Sequence, residues 1–284
     1  MRRSRSALVV ARRSPAAAWS RRLGAFALVL FLTAGAGHRF GLVETVPFFW
    51  LLGLVAALAV AALLCAWAAY TQVWEEGARG AGAATLGVLA ALLALAPYGL
   101  SAYRFAVHPA LHDIATDLDD PPALALAAEL RRVPPMNPVV PVDDAAAALQ
   151  QAQYPQVVGR RYEQTAARVL EAVDGLIADR GWRLLGPRIG PVAPPSAAPD
   201  EPGAAAPAEP ALPPGGVTRQ ALAHSFFLGF PADVAVRVSG DAEGAAVDMR
   251  SASRYARHDL GDNALRIERF LAELDARVQA LAGS

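Results

Sequence analysis

The chain has no lysine: all 26 basic residues among its 284 are arginine. With so much alanine beside them, they point to GC-rich codons, so arginine over lysine carries little functional weight. There is one cysteine, Cys65, inside an apolar run, which excludes an intrachain disulfide. Net charge is also missing, but only in sum. Residues 1–103 hold 9 Arg against 3 acids, and residues 104–284 hold 17 Arg against 23 acids. An acidic C-terminal part argues against nucleic acid as its partner.

Charge is absent from two long runs. Val46–Ala69 has 24 residues and Ala81–Ala102 has 22. At about 1.5 Å per residue each crosses a hydrocarbon core of about 30 Å. Leu23–Gly37 has only 15, so it needs Arg22 and Arg39 to snorkel or must borrow residues past His38. The pattern predicts a transmembrane region over 1–104, with spans near 23–40, 46–69 and 81–102, and the lipid bilayer as a partner. Apart from His38, Arg39 and Glu44, all near edges, the spans contain no intramembrane acid or base, which reads as an anchor rather than a transporter. Pro97 reads as an exit bend from the last span.

Arg2, Arg3, Arg5, Arg12, Arg13, Arg21 and Arg22 precede the first span, which predicts a cytoplasmic N-terminus. Three crossings then carry residues 105–284 to the periplasmic side of a bacterial inner membrane. An alternative makes 1–37 a cleaved export signal, with the same destination. Three spans is preferred because no clean small-x-small cleavage box stands before His38.

The remainder reads as an external α+β domain: an antiparallel sheet of about four strands with two helices on its apolar face. Asp120 before Pro121 marks a helix start, and Asp143 with Asp144 another. Thr165–Arg180 is an amphipathic helix stopped by Gly181. Residues 186–216, mostly proline, alanine and glycine, read as a disordered loop. Strands follow at 182–185, 217–230, 234–238 and 247–249, with Trp182, Phe226, Phe227 and Phe230 filling the core. Pairing Val236 with Val247 and Val234 with Met249 buries all four on one face. It also sets Asp233 opposite Arg250, and Arg237 diagonal to Asp248. Leu260, Ala264, Ile267, Leu271, Leu274, Val278 and Leu281 form one helical stripe, capped by Asp259, with Asp262–Arg266 and Glu273–Arg277 as helix-face pairs.

"VDMRSASRYARHDLGDNALRIERFLAEL", with "HDIATDLDDPP" and "FFLGFPADVAVRV", resembles the bacterial and chloroplast family called domain of unknown function 1499. The resemblance covers about 105–284. Its RSxSRxxxxDLGxNAxRI pattern falls here on Arg250, Ser251, Ser253, Arg254, Asp259, Leu260, Gly261, Asn263, Ala264, Arg266 and Ile267. Ala232 stands where the family commonly has an acid. The resemblance implies an architecture, often with a multi-span N-terminal region, and no reaction.

The residues between strand and helix allow three readings. In one they are scaffold, with Arg250 tied to Asp233, and Asp259 and Asp120 capping helices. In another, Arg250, Ser251, Ser253, Arg254, Arg257, Asn263 and Arg266 hold an anion near the start of the last helix. In the third, Ser251 or Ser253 is a nucleophile served by His258, although no nucleophile-elbow motif is present. Separately, His108, His112, Asp113 and Asp117 could bind a metal, against a plainer reading as a turn-forming collar. No cofactor and no catalytic residue is expected. The domain is expected to be a non-catalytic binding or envelope-assembly module, with an envelope protein or a lipid headgroup as partner. The alternatives are a small envelope hydrolase or metal-dependent enzyme, and a lipid- or anion-headgroup-binding domain.

Overall fold

The apolar runs become three helices: α1 (Pro15–Arg39), α2 (Thr45–Glu76) and α3 (Ala81–Val107). Each is long and apolar enough to cross a membrane. The structure, a computed structural model, describes residues 12–131, 135–186, 212–213 and 215–282. Ser14 caps α1, its Oγ accepting the Ala17 N–H at 3.1 Å, with Pro15 in the first turn. The third helix does not bend out at Pro97 but runs on through it. The chain divides into two compact units, Met1–Tyr103 with Phe227–Gly229, and Arg104–Phe226 with Phe230–Ser284.

The first unit packs on small residues. A Cβ on Gly24 would overlap Gly87 O, and one on Gly87 would overlap Ser20. Ala27, Ala59, Ala62, Ala91 and Ala94 are buried around them. Small side chains let helices approach closely where lipid gives no hydrophobic drive for association. His38, isolated in the sequence, is buried in this unit. Its ring stacks on Phe48, its Nε2 lies 3.0 Å from Thr45 Oγ1, and its Nδ1 lies 2.6 Å from Leu228 O.

The second unit contains β1 (Asp113–Ala115), α4 (Ala125–Leu130), α5 (Asp144–Gln153), β2 (Arg160–Tyr162), α6 (Ala166–Asp179), β3 (Arg183–Leu185), β4 (Val217–His224), β5 (Pro231–Asp241), β6 (Gly244–Ser253) and α7 (Asp262–Ala282). The strands form one antiparallel sheet in the order β1-β6-β5-β4-β3, with β2 also paired to β6. It therefore has six strands, not about four. The two extra strands are three residues each, too short to show a period of two.

Both long helices lie on one face of the sheet. Val169, Val173 and Ile177 of α6 and Ile267, Leu271 and Leu274 of α7 join Val234, Val236, Val238, Val247 and Met249 in one core. The helix-face pairs expected within α7 are replaced by pairs between helices. Arg180 bonds Glu273 at 3.0 Å and Arg277 bonds Asp179 at 2.7 Å, because α6 lies alongside.

The hairpin β5–β6 is shifted by two residues from the expected register. Val236 faces Met249, Val238 faces Val247, Arg237 faces Asp248, and Asp233 faces Ala252 rather than Arg250. A two-residue shift leaves every side chain on its expected face, so hydrophobic patterning alone does not distinguish the two registers. The turn decides. Asp241 pairs with Gly244, and Gly244 has φ 140, so the loop closes on Ala242 and Glu243 alone.

Two further expectations fail on sterics. Strand β4 ends at His224 and does not continue to Phe230. Ser225 N–H bonds Phe230 O at 2.8 Å and Ser225 Oγ takes the Phe230 N–H, closing a turn that leaves Phe226 90% and Phe227 65% exposed rather than in the core. Asp120 caps no helix. Two prolines keep the chain extended after it, α4 starts only at Ala125, and Asp120 instead accepts from Arg237 at 2.6 Å. The expected disordered stretch at 186–216 lies largely outside the described residues.

Candidate functional site

The segment 250–266 divides its charges between the two faces of the sheet. Even-numbered residues of β6 point away from α6 and α7. On that side Asp233 is fully buried and takes two arginines. Arg254 contacts it at two points, Nε to Oδ2 at 2.9 Å and Nη2 to Oδ1 at 2.7 Å. Arg131, from the end of α4, donates Nε to Oδ2 at 2.6 Å and Nη2 to Ala252 O at 2.7 Å. Burial pulls the Arg131 guanidinium below its ordinary value, and Asp233 opposes that pull. Leu124, Ala127, Ala235 and Ala252 seal the cluster, so this face is covered and not solvated.

Arg250 is paired too, with a different acid from the one expected. It meets Asp113 of β1 at 2.9 and 2.7 Å and donates to Val140 O at 3.0 Å. The pairing of Ala115 with Arg250 sets this contact. Asp117 and Asp248 both take Arg237, at 2.9 and 3.3 Å. A cleft of about 500 Å³ runs beside them, lined also by Gln150 and Tyr154.

Odd-numbered residues of β6 point towards α7. Ser251 Oγ donates to Asn263 Oδ1 at 2.8 Å and accepts from Arg266 Nη1 at 2.9 Å. Arg266 Nη1 also reaches Asn263 Oδ1 at 2.5 Å. Asn263 Nδ2 donates to His112 O at 2.9 Å and to Ser253 Oγ at 3.0 Å. Asp259 closes the helix start by accepting the N–H groups of Gly261 and Asn263, both at 2.8 Å. Burial raises its carboxyl above the ordinary value, and those two N–H bonds oppose the rise.

The structure brings together Ser251, Ser253, Asn263 and Arg266. It sends Arg250 and Arg254 to the other face and leaves Arg257 exposed. His258 does not approach the serines. Its Nδ1 accepts the Leu260 N–H at 2.9 Å, so Nε2 carries the proton it directs at His108 O, 3.1 Å away. Leu260 has φ 58 and Ala256 φ 65, two left-handed residues that fold this loop tightly. His108 Nδ1 lies 3.1 Å from Tyr154 Oη, while Asp113 and Asp117 hold arginines. No three His, Cys, Asp or Glu side chains could share a metal among the described residues.

The sequence profile of the family described as a protein of unknown function, DUF1499, matches residues 113–274. The chain belongs to the DUF1499 family. The DUF1499 match begins where β1 begins and ends inside α7, so it contains Arg131, Asp233, Arg254, Ser251, Asn263 and Arg266 and leaves His108 and His112 outside. No curated protein and no solved structure matches the chain.

Reading by sequence missed Arg131, Asn137 and Tyr154. Asn137 Nδ2 clamps Ser253 O and Ala256 O at 3.0 and 2.6 Å, and the one signal for it was a lone amide between prolines. Arg131 carried no signal, since an arginine at the end of an alanine-rich helix reads as a solvated one.

Proposed function

We propose that this DUF1499 protein is a bacterial inner-membrane protein with a cytoplasmic N-terminus and a periplasmic C-terminal domain that is a non-catalytic binding or envelope-assembly module. The arginines before α1 and the three helices long enough to span a bilayer support the placement. One observation carries the functional reading: apart from Arg257 and Arg266, the reactive-looking groups of 250–266 are committed to structural partners. Arg250 and Arg254 each hold a carboxylate at two points, Ser251 and Ser253 share Asn263, and His258 faces a backbone carbonyl. An enzyme needs a nucleophile and a base in mutual reach, and these are held apart.

The experiment has two arms. Alkaline phosphatase fused after Ser284 should be active and a fluorescent protein there dark; the reverse pair overturns the placement. Purified full chain should show no turnover of phosphate or carboxylic esters. A rate that falls on Ser251→Ala would overturn the non-catalytic reading. The headgroup-binding alternative is favoured by one feature, Arg266.

A further inference from the structure

Four arginines are buried among the described residues: Arg131, Arg219, Arg250 and Arg266. Three hold a carboxylate directly, Asp233 at 2.5 Å, Asp174 at 2.7 Å and Asp113 at 2.7 Å. Arg266, 9% exposed, holds none. Its hydrogen bonds go to two neutral oxygens, Ser251 Oγ and Asn263 Oδ1, and both use Nη1. The nearby acids are engaged elsewhere: Asp259 takes the backbone N–H groups of the helix start, and Asp262 takes Arg104 at 2.8 Å.

The opposite edge of the guanidinium, Nε and Nη2, donates to no described residue. Neither atom is fully enclosed without a partner; among the described residues that holds for Ser20 Oγ alone. A second cation, Arg180, stands close by, itself bonded to Glu273 at 3.0 Å. Arg180 lies over the rings of Trp182 and Phe270, at 5.1 and 5.3 Å, and Phe270 is one turn beyond Arg266 on α7. Desolvation chiefly lowers the Arg266 guanidinium from its ordinary value; the charges of Asp262 and Asp259 oppose that shift and the charge of Arg180 adds to it.

Buried charges in proteins are paired, because desolvating an ion without a partner is strongly unfavourable. The planar Nε/Nη2 edge of an arginine matches two oxygens of a phosphate or carboxylate. We propose that Arg266, held by Ser251 and Asn263, is the receptor for a phosphate-type oxyanion, free or borne on a lipid headgroup, which docks on its Nε/Nη2 edge. This rests on the binding-module reading and names that module's ligand class. Ser251 and Asn263 are positioning residues that fix Nη1 and leave the other edge to the ligand. The cradle differs from an anion site at a helix start, since Asp259 already occupies that position on α7.

The test uses full-length protein in detergent, with inorganic phosphate against chloride at equal ionic strength, and in nanodiscs of phosphatidylglycerol against phosphatidylcholine. Phosphate should raise the wild-type thermal midpoint by several degrees. Arg266→Lys keeps the charge and loses the two-point edge, so the phosphate concentration giving half the shift should rise at least tenfold. Arg266→Met should show no shift. A response to phosphatidylglycerol without one to free phosphate assigns the oxyanion to lipid, and a response to both assigns it to either source. No wild-type shift in either arm overturns the proposal even if the variants fail to fold, and so does an undiminished shift in Arg266→Lys. Either failure, with esters still unturned and the Ser284 reporters unchanged, leaves the module reading in place.

Discussion

Asp233 and Arg254 face each other at two points, 2.9 and 2.7 Å, across the covered side of the sheet, with Arg131 closing on the same carboxylate. One acid thus satisfies two arginines, and the three cannot be separated piecemeal. Asp233→Ala leaves both cations unpaired in a site sealed by Leu124 and Ala127. The expected loss is ~3–5 kcal/mol. Arg254→Ala leaves Arg131 on Asp233 and should cost less, ~1–3 kcal/mol. Urea unfolding of the full chain in detergent gives both values. Equal losses for the two variants would show that the carboxylate is not shared.

Arg250→Ala acts at a different place from the one the sequence implies. Its partner is Asp113, so the variant frees the short edge strand β1 and leaves the Asp233 cluster intact. Stability should fall by ~1–3 kcal/mol. Amide hydrogen exchange should rise at Ile114 and Ala115 and stay unchanged at Asp233. Faster exchange at Asp233 instead would restore the expected pairing.

The elements that were legible are those whose burial repeats. The stripe from Ala264 to Val278 and the face of Val169, Val173 and Ile177 both follow from a 3.6-residue period, and both lie in the core. The family pattern likewise pointed to Ser251, Asn263 and Arg266. The hairpin register was not legible, because shifts by two residues look identical to a period-two pattern and the choice falls to the turn at Gly244. Strands β1 and β2, "DIA" and "RRY", owe their existence to pairing with β6 rather than to any pattern of their own. Ion-pair partners were least legible. The acid that Arg250 meets is 137 residues away, and charge complementarity within one hairpin offered a nearer partner.

Glycine is the contact between α1 and α3. A Cβ on Gly87 would overlap the Ser20 backbone, and one on Gly24 would overlap Gly87 O, whereas Gly53 and Gly82 have nothing within 4 Å. Gly87→Ala should therefore lower the thermal midpoint, with a penalty of ~1–3 kcal/mol from overpacking. Gly53→Ala and Gly82→Ala, with room for the methyl and a gain in helix propensity, should leave it unchanged or raise it. A silent Gly87→Ala would mean the helices can part without loss.

Tyr154 gives a test by pH. Burial chiefly, with the Asp259 and Glu268 charges adding and Arg104 opposing, pushes its phenol from 10.0 up to about 12. His108 Nδ1, 3.1 Å from the hydroxyl, faces it from the segment after α3. The folded chain thus holds this proton more tightly than the unfolded chain does. Its contribution is complete below pH 10.0 and is lost as pH rises towards about 12. Tyr154→Phe should remove that alkaline loss and leave the unfolding curve flatter over the same interval. Tyrosinate absorbance should also show one fewer late-titrating phenol. A variant with the wild-type alkaline profile would mean that Tyr154 ionises as an ordinary exposed tyrosine.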